Sequence, residues 1–263
     1  MAMKHISNKL HFLALALVLG VAAFFRFWAA PLSAGVDVAQ FWAFAKVFHL
    51  HGLDFYRYAD GNLPIFPFQG WAFVYPPIWL LILGLAMLAA PASSATEFMV
   101  DTSWRLAMKT PIILADLAIG GLIYWAVPGS KFKKLLFASL WLFHPSAWYE
   151  SAVFGQFDAI AAALLLASLI MLERRKDWLA FLLAGLAAMT KQHTAIPIVV
   201  MAVISARHIP KRRLLTDCLI FLAVFVFLSI PFLLTGNFYS YARSLFLPGQ
   251  ALGYQYPLVY VFS

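Results

Sequence analysis

The sequence of this 263-residue chain is short of charge. Only 11% of its residues are charged, whereas a soluble domain carries about 25%. The hydrophobic fraction is 63%, and several apolar runs approach the ~20 residues that a helix needs to cross the hydrocarbon of a bilayer. These values exclude a soluble globular domain and predict an integral membrane protein that crosses the bilayer several times.

Three further absences narrow the class of protein. The alternating polar and apolar pattern of a membrane β-barrel is missing, which leaves an all-α polytopic membrane protein. The single cysteine, Cys218, lies in an apolar run, so no intrachain disulfide can form. The sequence contains no HExxH, no CxxC, no clustered histidines and no glycine-rich phosphate loop. We therefore predict no cofactor, and the residues give no support for a divalent metal.

Basic residues lie in short clusters between apolar runs, as they do in cytoplasmic loops. The net charge of +8 therefore does not indicate binding to nucleic acid. If the clusters at 131–134, 173–176 and 207–213 are all cytoplasmic, the apolar run 73–90 dips into the membrane without crossing. If that run crosses instead, residues 131–134 lie outside. The charge rule favours the first topology.

One long insertion, the outer loop at residues 32–74, separates the first two apolar segments. It is rich in aromatic residues and carries Asp37 just beyond the first membrane helix. Residues 37–50 can form an amphipathic helix that lies in the membrane interface. In both topologies this loop faces outward, and the whole chain, 1–263, is expected to form a single transmembrane domain.

Ionisable side chains at membrane depth are functional candidates, because each costs a few kcal/mol or more in hydrocarbon. Asp116 follows Lys109 by seven residues, which places them on one helical face about 10 Å apart, too far for a direct pair. The Asp116 carboxylate either fixes another helix or belongs to a site. Arg26, at the outer end of the first helix, either snorkels to the interface or contacts a phosphate.

A second polar cluster interrupts the apolar stretch 135–172. Glu150, Phe154 and Asp158 are spaced by four residues, so a continuous helix would place all three on one side. Gln156 lies between them in sequence, and Gly155 allows a backbone or a ligand to approach closely. Two acids and a glutamine within ten residues of membrane sequence favour a functional interpretation over packing.

A third cluster, Lys191 followed by Gln192 and His193, lies between two short apolar runs. A lysine there suits a phosphate anion as a point-charge partner. The alternative is a loop lysine that is simply exposed to water.

Five short motifs follow one another along the chain: Asp37 soon after the first helix, Tyr75-Pro76-Pro77, Arg105-x3-Lys109-x6-Asp116, Phe154-Gly155-Gln156-Phe157-Asp158 and Lys191-Gln192. This succession resembles the GT-C glycosyltransferases. It is most similar to bacterial mannosyl- or glucosyltransferases that use polyprenyl-phosphate sugars, and to the dolichyl-phosphate-glucose glucosyltransferases of N-glycan assembly. The resemblance covers approximately residues 35–197.

The resemblance implies a GT-C-like helix bundle whose outer loop carries interfacial helices. It also implies an inverting transfer of a hexose from a polyprenyl- or dolichyl-phosphate donor to a lipid, a lipid-linked glycan or a protein. The family's catalytic acid occupies the position of Asp37, but the second acid common in related families is absent here, which makes a metal less expected. Relatives continue beyond the position of Ser263, so we expect a C-terminally truncated chain of the bacterial inner membrane.

The mechanism expected from these residues uses Asp37 as the general base for an acceptor hydroxyl. Fixed positive charge near the departing phosphate would assist, from Lys191 together with Lys109 or Arg105. The remaining candidates for contacts with the donor phosphate or substrate are Gln192, Gln156, Asp158 and Tyr75.

Two other classes of function remain open from the sequence. A secondary transporter or lipid-carrier translocase would use Asp116, Asp158 and Lys191 as an ion or proton relay, although the two related halves typical of transporters are not found. A scaffold subunit would need these residues for stability alone.

Overall fold

A computed structural model describes residues 2–235 and 238–246. Within them the chain forms eleven α-helices and no sheet, apart from an isolated bridge between Ala95 and Val100. The helices are α1 (Ala2–Ala29), α2 (Val36–His51), α3 (Pro77–Ala89), α4 (Thr102–Ala126), α5 (Lys131–Leu142), α6 (Pro145–Trp148), α7 (Asp158–Glu173), α8 (Asp177–Thr190), α9 (Ala195–Ser205), α10 (Lys211–Leu233) and α11 (Phe238–Phe246). The all-α prediction is confirmed, whereas the expected truncation concerns the C-terminal end, which lies outside the described residues.

Three of the described helices are long and apolar enough to span a membrane: residues Leu10–Ala29 of α1, all of α4 and all of α10. The 13 residues of α3 extend about 20 Å, which is short of the ~30 Å hydrocarbon core. By length, α3 therefore suits a segment that dips into the membrane without crossing. Helices α7, α8 and α9 are also shorter than 18 residues.

The outer loop folds around a core of aromatic side chains. Helix α2 packs on α3 and on the 3-10 helix Gly52–Tyr58, and Phe44 contacts the rings of Phe55, Phe66 and Phe73. Buried residues lie on most sides of α2. They include Gln40, whose amide donates to the carbonyl of Trp71 at 2.8 Å. Helix α2 is thus more enclosed than an amphipathic helix resting in the interface, because the rest of the loop covers it.

Arg26 and Asp116 form a fully buried ion pair, with 2.7 Å between Arg26 Nε and Asp116 Oδ2. Arg26 also donates to the carbonyl of Leu142, while Asp116 accepts hydrogen bonds from Trp141 and Ser151. Both interpretations of Arg26, as a snorkelling side chain and as a phosphate contact, are therefore wrong. The Asp116 carboxylate fixes α1 and α5 against α4, which is the first of its two predicted roles.

Candidate active site

The apolar stretch 135–172 contains a break that forms one wall of the site. A π-helical turn, Tyr149–Phe154, ends at Gly155, whose φ of +86° is readily adopted only by glycine. A Cβ at Gly155 would also lie within 3.0–3.2 Å of the side chains of Val38, Lys109 and Met108. The helix resumes only at Asp158. The interruption predicted at Gly155 is confirmed, so Glu150, Phe154 and Asp158 do not lie on one continuous helix.

The carboxylate of Asp37 lies in the first turn of α2 and faces this break. The side-chain amide of Gln156 donates a hydrogen bond to Asp37 Oδ2. Burial raises the pKa of Asp37 above the usual aspartate value, and the Gln156 hydrogen bond and the charge of Lys191 oppose that rise in part. Asp37 and Gln156, 119 positions apart in sequence, are thus hydrogen-bonded to each other. The Asp37 carboxylate is half-buried and binds a proton more readily than an exposed aspartate does.

A second acid, Asp158, begins α7 two residues after Gln156. Lys191 Nζ lies 2.6 Å from Asp158 Oδ1 and 4.8 Å from the centroid of the Phe157 ring. The Lys191 side chain is 17% exposed and that of Asp158 is 49% exposed. An ammonium has three N–H donors, so Lys191 retains donors for a ligand after it has bound Asp158. These contacts argue against a loop lysine that is simply exposed to water, and the phosphate contact of Lys191 stays a prediction.

Tyr75 and Gln192 complete the cluster. Burial raises the pKa of the Tyr75 phenol, and the negative charges of Asp37 and Asp158 raise it further. Tyr75 therefore remains a neutral hydroxyl within the electrostatic range of both acids. Gln192 donates to the carbonyl of Val74 at 2.7 Å, which ties the loop of Lys191 to the residue before Tyr75. Its Oε1 is buried and has no hydrogen-bond partner in the part of the chain that the structure describes.

The structure brings together six of the eight predicted site residues: Asp37, Tyr75, Gln156, Asp158, Lys191 and Gln192. Lys109 and Arg105 are not among them. Lys109 is fully buried and donates only to backbone carbonyls. Arg105 donates to the carbonyl of Pro31 and lines a cavity of about 310 Å³ in which none of the six takes part.

One residue of the site, Phe157, is not among those predicted from the sequence. The ring of Phe157 is fully buried, stacks on Trp79 at a centroid distance of 4.2 Å and supports the ammonium of Lys191. Its only signal in the sequence is its place between Gln156 and Asp158. A fixed aromatic face beneath a cation restricts where that cation can point.

Among the described residues, no three His, Cys, Asp or Glu side chains lie close enough together to hold a metal ion. The positive charge at the site comes from Lys191. The arrangement provides a carboxylate with a raised pKa, which can accept a proton, and an accessible ammonium, which can contact an anion. The charge of Lys191 acts on the pKa of Asp37, so the two groups belong to one electrostatic environment.

A family model described as glycosyltransferase family 87 matches residues 73–258 of the chain. The matched range contains Tyr75, Gln156, Asp158 and Lys191, whereas Asp37 precedes it. No curated protein matches the sequence.

Proposed function

This chain belongs to glycosyltransferase family 87, a family of membrane glycosyltransferases of the GT-C type, and from that premise we propose a specific reaction. A hexose moves from a polyprenyl-phosphate donor to a hydroxyl of a lipid, glycan or protein acceptor. Transfer takes place at the outer face of a membrane, which we take to be the bacterial inner membrane. The observation that carries this proposal is that one short segment binds both groups: Gln156 is hydrogen-bonded to the Asp37 carboxylate, and Asp158, two residues on, pairs with the accessible Lys191 ammonium.

In the proposed step Asp37 acts as the general base. The acceptor oxygen attacks the anomeric carbon of the donor while its proton passes to the Asp37 carboxylate. The bond between the anomeric carbon and the phosphate oxygen breaks, and its electron pair leaves with the phosphate. Because attack and departure occur on opposite sides of the carbon, the configuration inverts. The raised pKa of Asp37 supports this role, since it makes the carboxylate a stronger base.

Lys191 contacts the anionic phosphate of the bound donor and also stabilises the further negative charge that develops as this phosphate departs. Asp158 holds the ammonium from one side and the Phe157 ring supports it from another, so the charge is oriented before the donor arrives. Gln192 anchors the loop that carries Lys191 through its hydrogen bond to the carbonyl of Val74. The protein itself supplies the cation in this scheme, and the proposed transfer uses no metal ion.

The prenyl chain of the donor lies along α9 in this proposal. This helix begins four residues after Lys191, and the exposed side chains on it are apolar: Ile196, Val199, Val200, Val203 and Ile204. A lipid tail on this surface places its phosphate at the Lys191 end of α9.

The direct test uses the purified protein in lipid nanodiscs with a radiolabelled polyprenyl-phosphate hexose and a panel of alcohol, glycolipid and peptide acceptors. We expect the label to move to an acceptor. In vesicles, movement of intact donor across the membrane without a new glycosidic bond would identify a translocase and overturn the proposal. Neither transfer nor movement, with any acceptor, would also count against it.

Replacing Lys191 with methionine is expected to raise the donor KM by about 10- to 150-fold. A hydrogen bond to a charged group contributes about 1.5–3 kcal/mol, which corresponds to that range. Lys46→Met is the matched control, because Lys46 lies in the outer loop and donates only to the carbonyl of Pro91. A donor KM that is the same in both variants would remove Lys191 from the phosphate contact.

The pH dependence of kcat/KM gives a separate check on Asp37. The base works only when it is deprotonated, so activity falls as the pH drops through its raised pKa. The Gln156 hydrogen bond lowers that pKa, and Gln156→Leu should therefore move the acidic limb of the profile to higher pH. Gln69→Leu, which removes hydrogen bonds to the carbonyls of Leu63 and Phe66 instead, should leave the limb in place. A limb that moves to lower pH in Gln156→Leu would contradict the assignment.

A further inference from the structure

Lys109 places a positive charge inside the helix bundle without a carboxylate beside it. The side chain is fully buried in α4. It takes part in no ion pair with an acid in the described part of the chain. Its Nζ instead lies 2.6–3.0 Å from four backbone carbonyl oxygens, those of Ala30, Ser33, Ala152 and Val153.

The four carbonyls belong to two segments that lead directly into the candidate site. Ala30 and Ser33 follow α1 and precede Asp37 by a few residues. Ala152 and Val153 lie in the π-helical turn and precede Gln156. The Lys109 ammonium therefore joins the backbone segment that leads to Asp37 with the backbone segment that leads to Gln156, the hydrogen-bond donor to Asp37.

Weaker contacts connect the same two segments. Ser33 Oγ donates to the carbonyl of Val153 at 3.2 Å, and the backbone N–H of Gly35 donates to the carbonyl of Phe154 at 3.3 Å. Gly35 also has no room for a side chain, because a Cβ would lie 2.9 Å from Phe154. The two segments are thus in direct contact, and the ammonium provides the shortest hydrogen bond between α4 and this junction.

A role for Lys109 in binding the donor phosphate does not fit these contacts. An ammonium has three N–H donors, and four carbonyl oxygens already surround this one. No surface of the side chain is exposed to a ligand. Lys191, with an exposed fraction of 17%, is the cation that a phosphate can reach.

We propose that Lys109 is a positioning residue for catalysis. Its ammonium holds the segment 30–33 against the segment 152–153, and this contact keeps Asp37 within hydrogen-bonding distance of Gln156. The inference rests on the proposed glycosyl transfer, in which Asp37 is the base. A displacement of about 1 Å at a reacting group can cost 10²-fold in rate, so loss of this contact has a large effect without any contact to substrate.

The test compares kinetic constants per folded enzyme for Lys109→Met, Lys109→Arg and the wild type. We expect kcat to fall about 10²-fold in Lys109→Met, with the donor KM held within about threefold because Lys191 is intact. Lys109→Arg should also fail, because the side chain is fully buried and four carbonyl oxygens enclose its ammonium, which leaves no space for the larger guanidinium. Retained kcat in Lys109→Arg would contradict the geometric argument.

Asp177→Asn is the matched control for loss of a buried charge. Asp177 is buried and pairs with Arg213 at 2.9 Å, between the ends of α8 and α10 that carry no predicted site residue. Its loss should lower stability and leave kcat per folded enzyme unchanged. If Lys109→Met behaves as this control does, Lys109 has a structural role alone and the proposal fails.

A milder variant applies if Lys109→Met does not fold. Ser33→Ala removes one hydrogen bond across the same junction without unpairing a buried charge, and kcat should fall about 2- to 10-fold. A rise in the donor KM at constant kcat, in any of these variants, would assign Lys109 to phosphate binding and overturn the proposal.

Hydrogen exchange of the backbone amides tests the junction independently of catalysis. In Lys109→Met, peptides covering residues 30–38 and 150–158 should exchange faster than in the wild type, and in Asp177→Asn they should not. Unchanged exchange overturns the positioning role even if transfer activity is present. If the wild-type protein transfers no sugar but Lys109→Met still exchanges faster than the wild type, the proposed function is rejected. The structural role of Lys109 at the junction is then retained.

Discussion

Replacing Asp37 with asparagine is expected to lower the turnover of sugar transfer by about 10²- to 10⁴-fold, the contribution typical of a positioned general base. Asparagine has nearly the same shape as aspartate and keeps an oxygen that can accept the hydrogen bond from Gln156. It cannot take a proton from the acceptor hydroxyl at neutral pH. The donor KM should change little, because Lys191 and its contacts are untouched.

The measurement is the initial rate of transfer from labelled donor, with the amount of folded protein determined by size-exclusion chromatography. Asp60→Asn is the control, since Asp60 lies in the same outer loop, is exposed and binds only Asn62. Turnover of Asp37→Asn close to that of Asp60→Asn would remove Asp37 from the chemistry. The base would then have to be Asp158, the other acid in the cluster.

Replacing Arg26 with methionine is expected to destabilise the protein by about 3–5 kcal/mol, the usual cost of removing one partner from a buried ion pair. Asp116 would lose its charged partner and keep hydrogen bonds only from Trp141 and Ser151, and the carbonyl of Leu142 would lose its donor. Unfolding in mixed micelles with increasing denaturing detergent measures this change in free energy.

The double variant Arg26→Met with Asp116→Leu provides the control for this prediction. It leaves no unpaired charge in the interior, so its cost should be smaller than that of Arg26→Met alone. If the single variant is as stable as the wild type, the pair does not hold α1 against α4. Stability is the readout for this pair, because Asp116 also accepts a hydrogen bond from Ser151 in the π-helical turn beside the site.

Exposure separates the roles of three cations that the sequence offers as possible phosphate contacts. Arg26 and Lys109 are fully buried, and every short contact that Lys109 makes is to a backbone carbonyl. Lys191 lies at the end of α8 and remains partly exposed beside an acid and an aromatic ring. A cation can stabilise a departing phosphate only if the phosphate can reach it, so Lys191 alone of the three suits that task.

Helix length accounts for the position of the site. Helices α7 and α8 have 16 and 14 residues, which extend about 24 and 21 Å. Both are shorter than the hydrocarbon core of a bilayer. The site lies where α7 begins and α8 ends, next to Val74 at the end of the outer loop.

Much of the architecture was predictable because it depends on local properties of the chain. Composition alone gives the membrane class, and apolar runs give the spans at α1, α4 and α10. The interruptions at Gly155 and Lys191 are also local, since glycine and charged residues disfavour a continuous apolar helix. The succession of short motifs likewise identified six residues that the structure brings together.

The tertiary structure alone decided which groups each buried charged side chain contacts. Arg26 and Asp116 are 90 residues apart in sequence, and neither interpretation of Arg26 included an ion pair. Lys109 resembles a phosphate ligand in the sequence, yet it binds four carbonyls from two distant segments. The physical reason is that a buried cation must find acceptors wherever packing places them, and the rotation of each helix about its axis, which sets those partners, depends on contacts between remote parts of the chain.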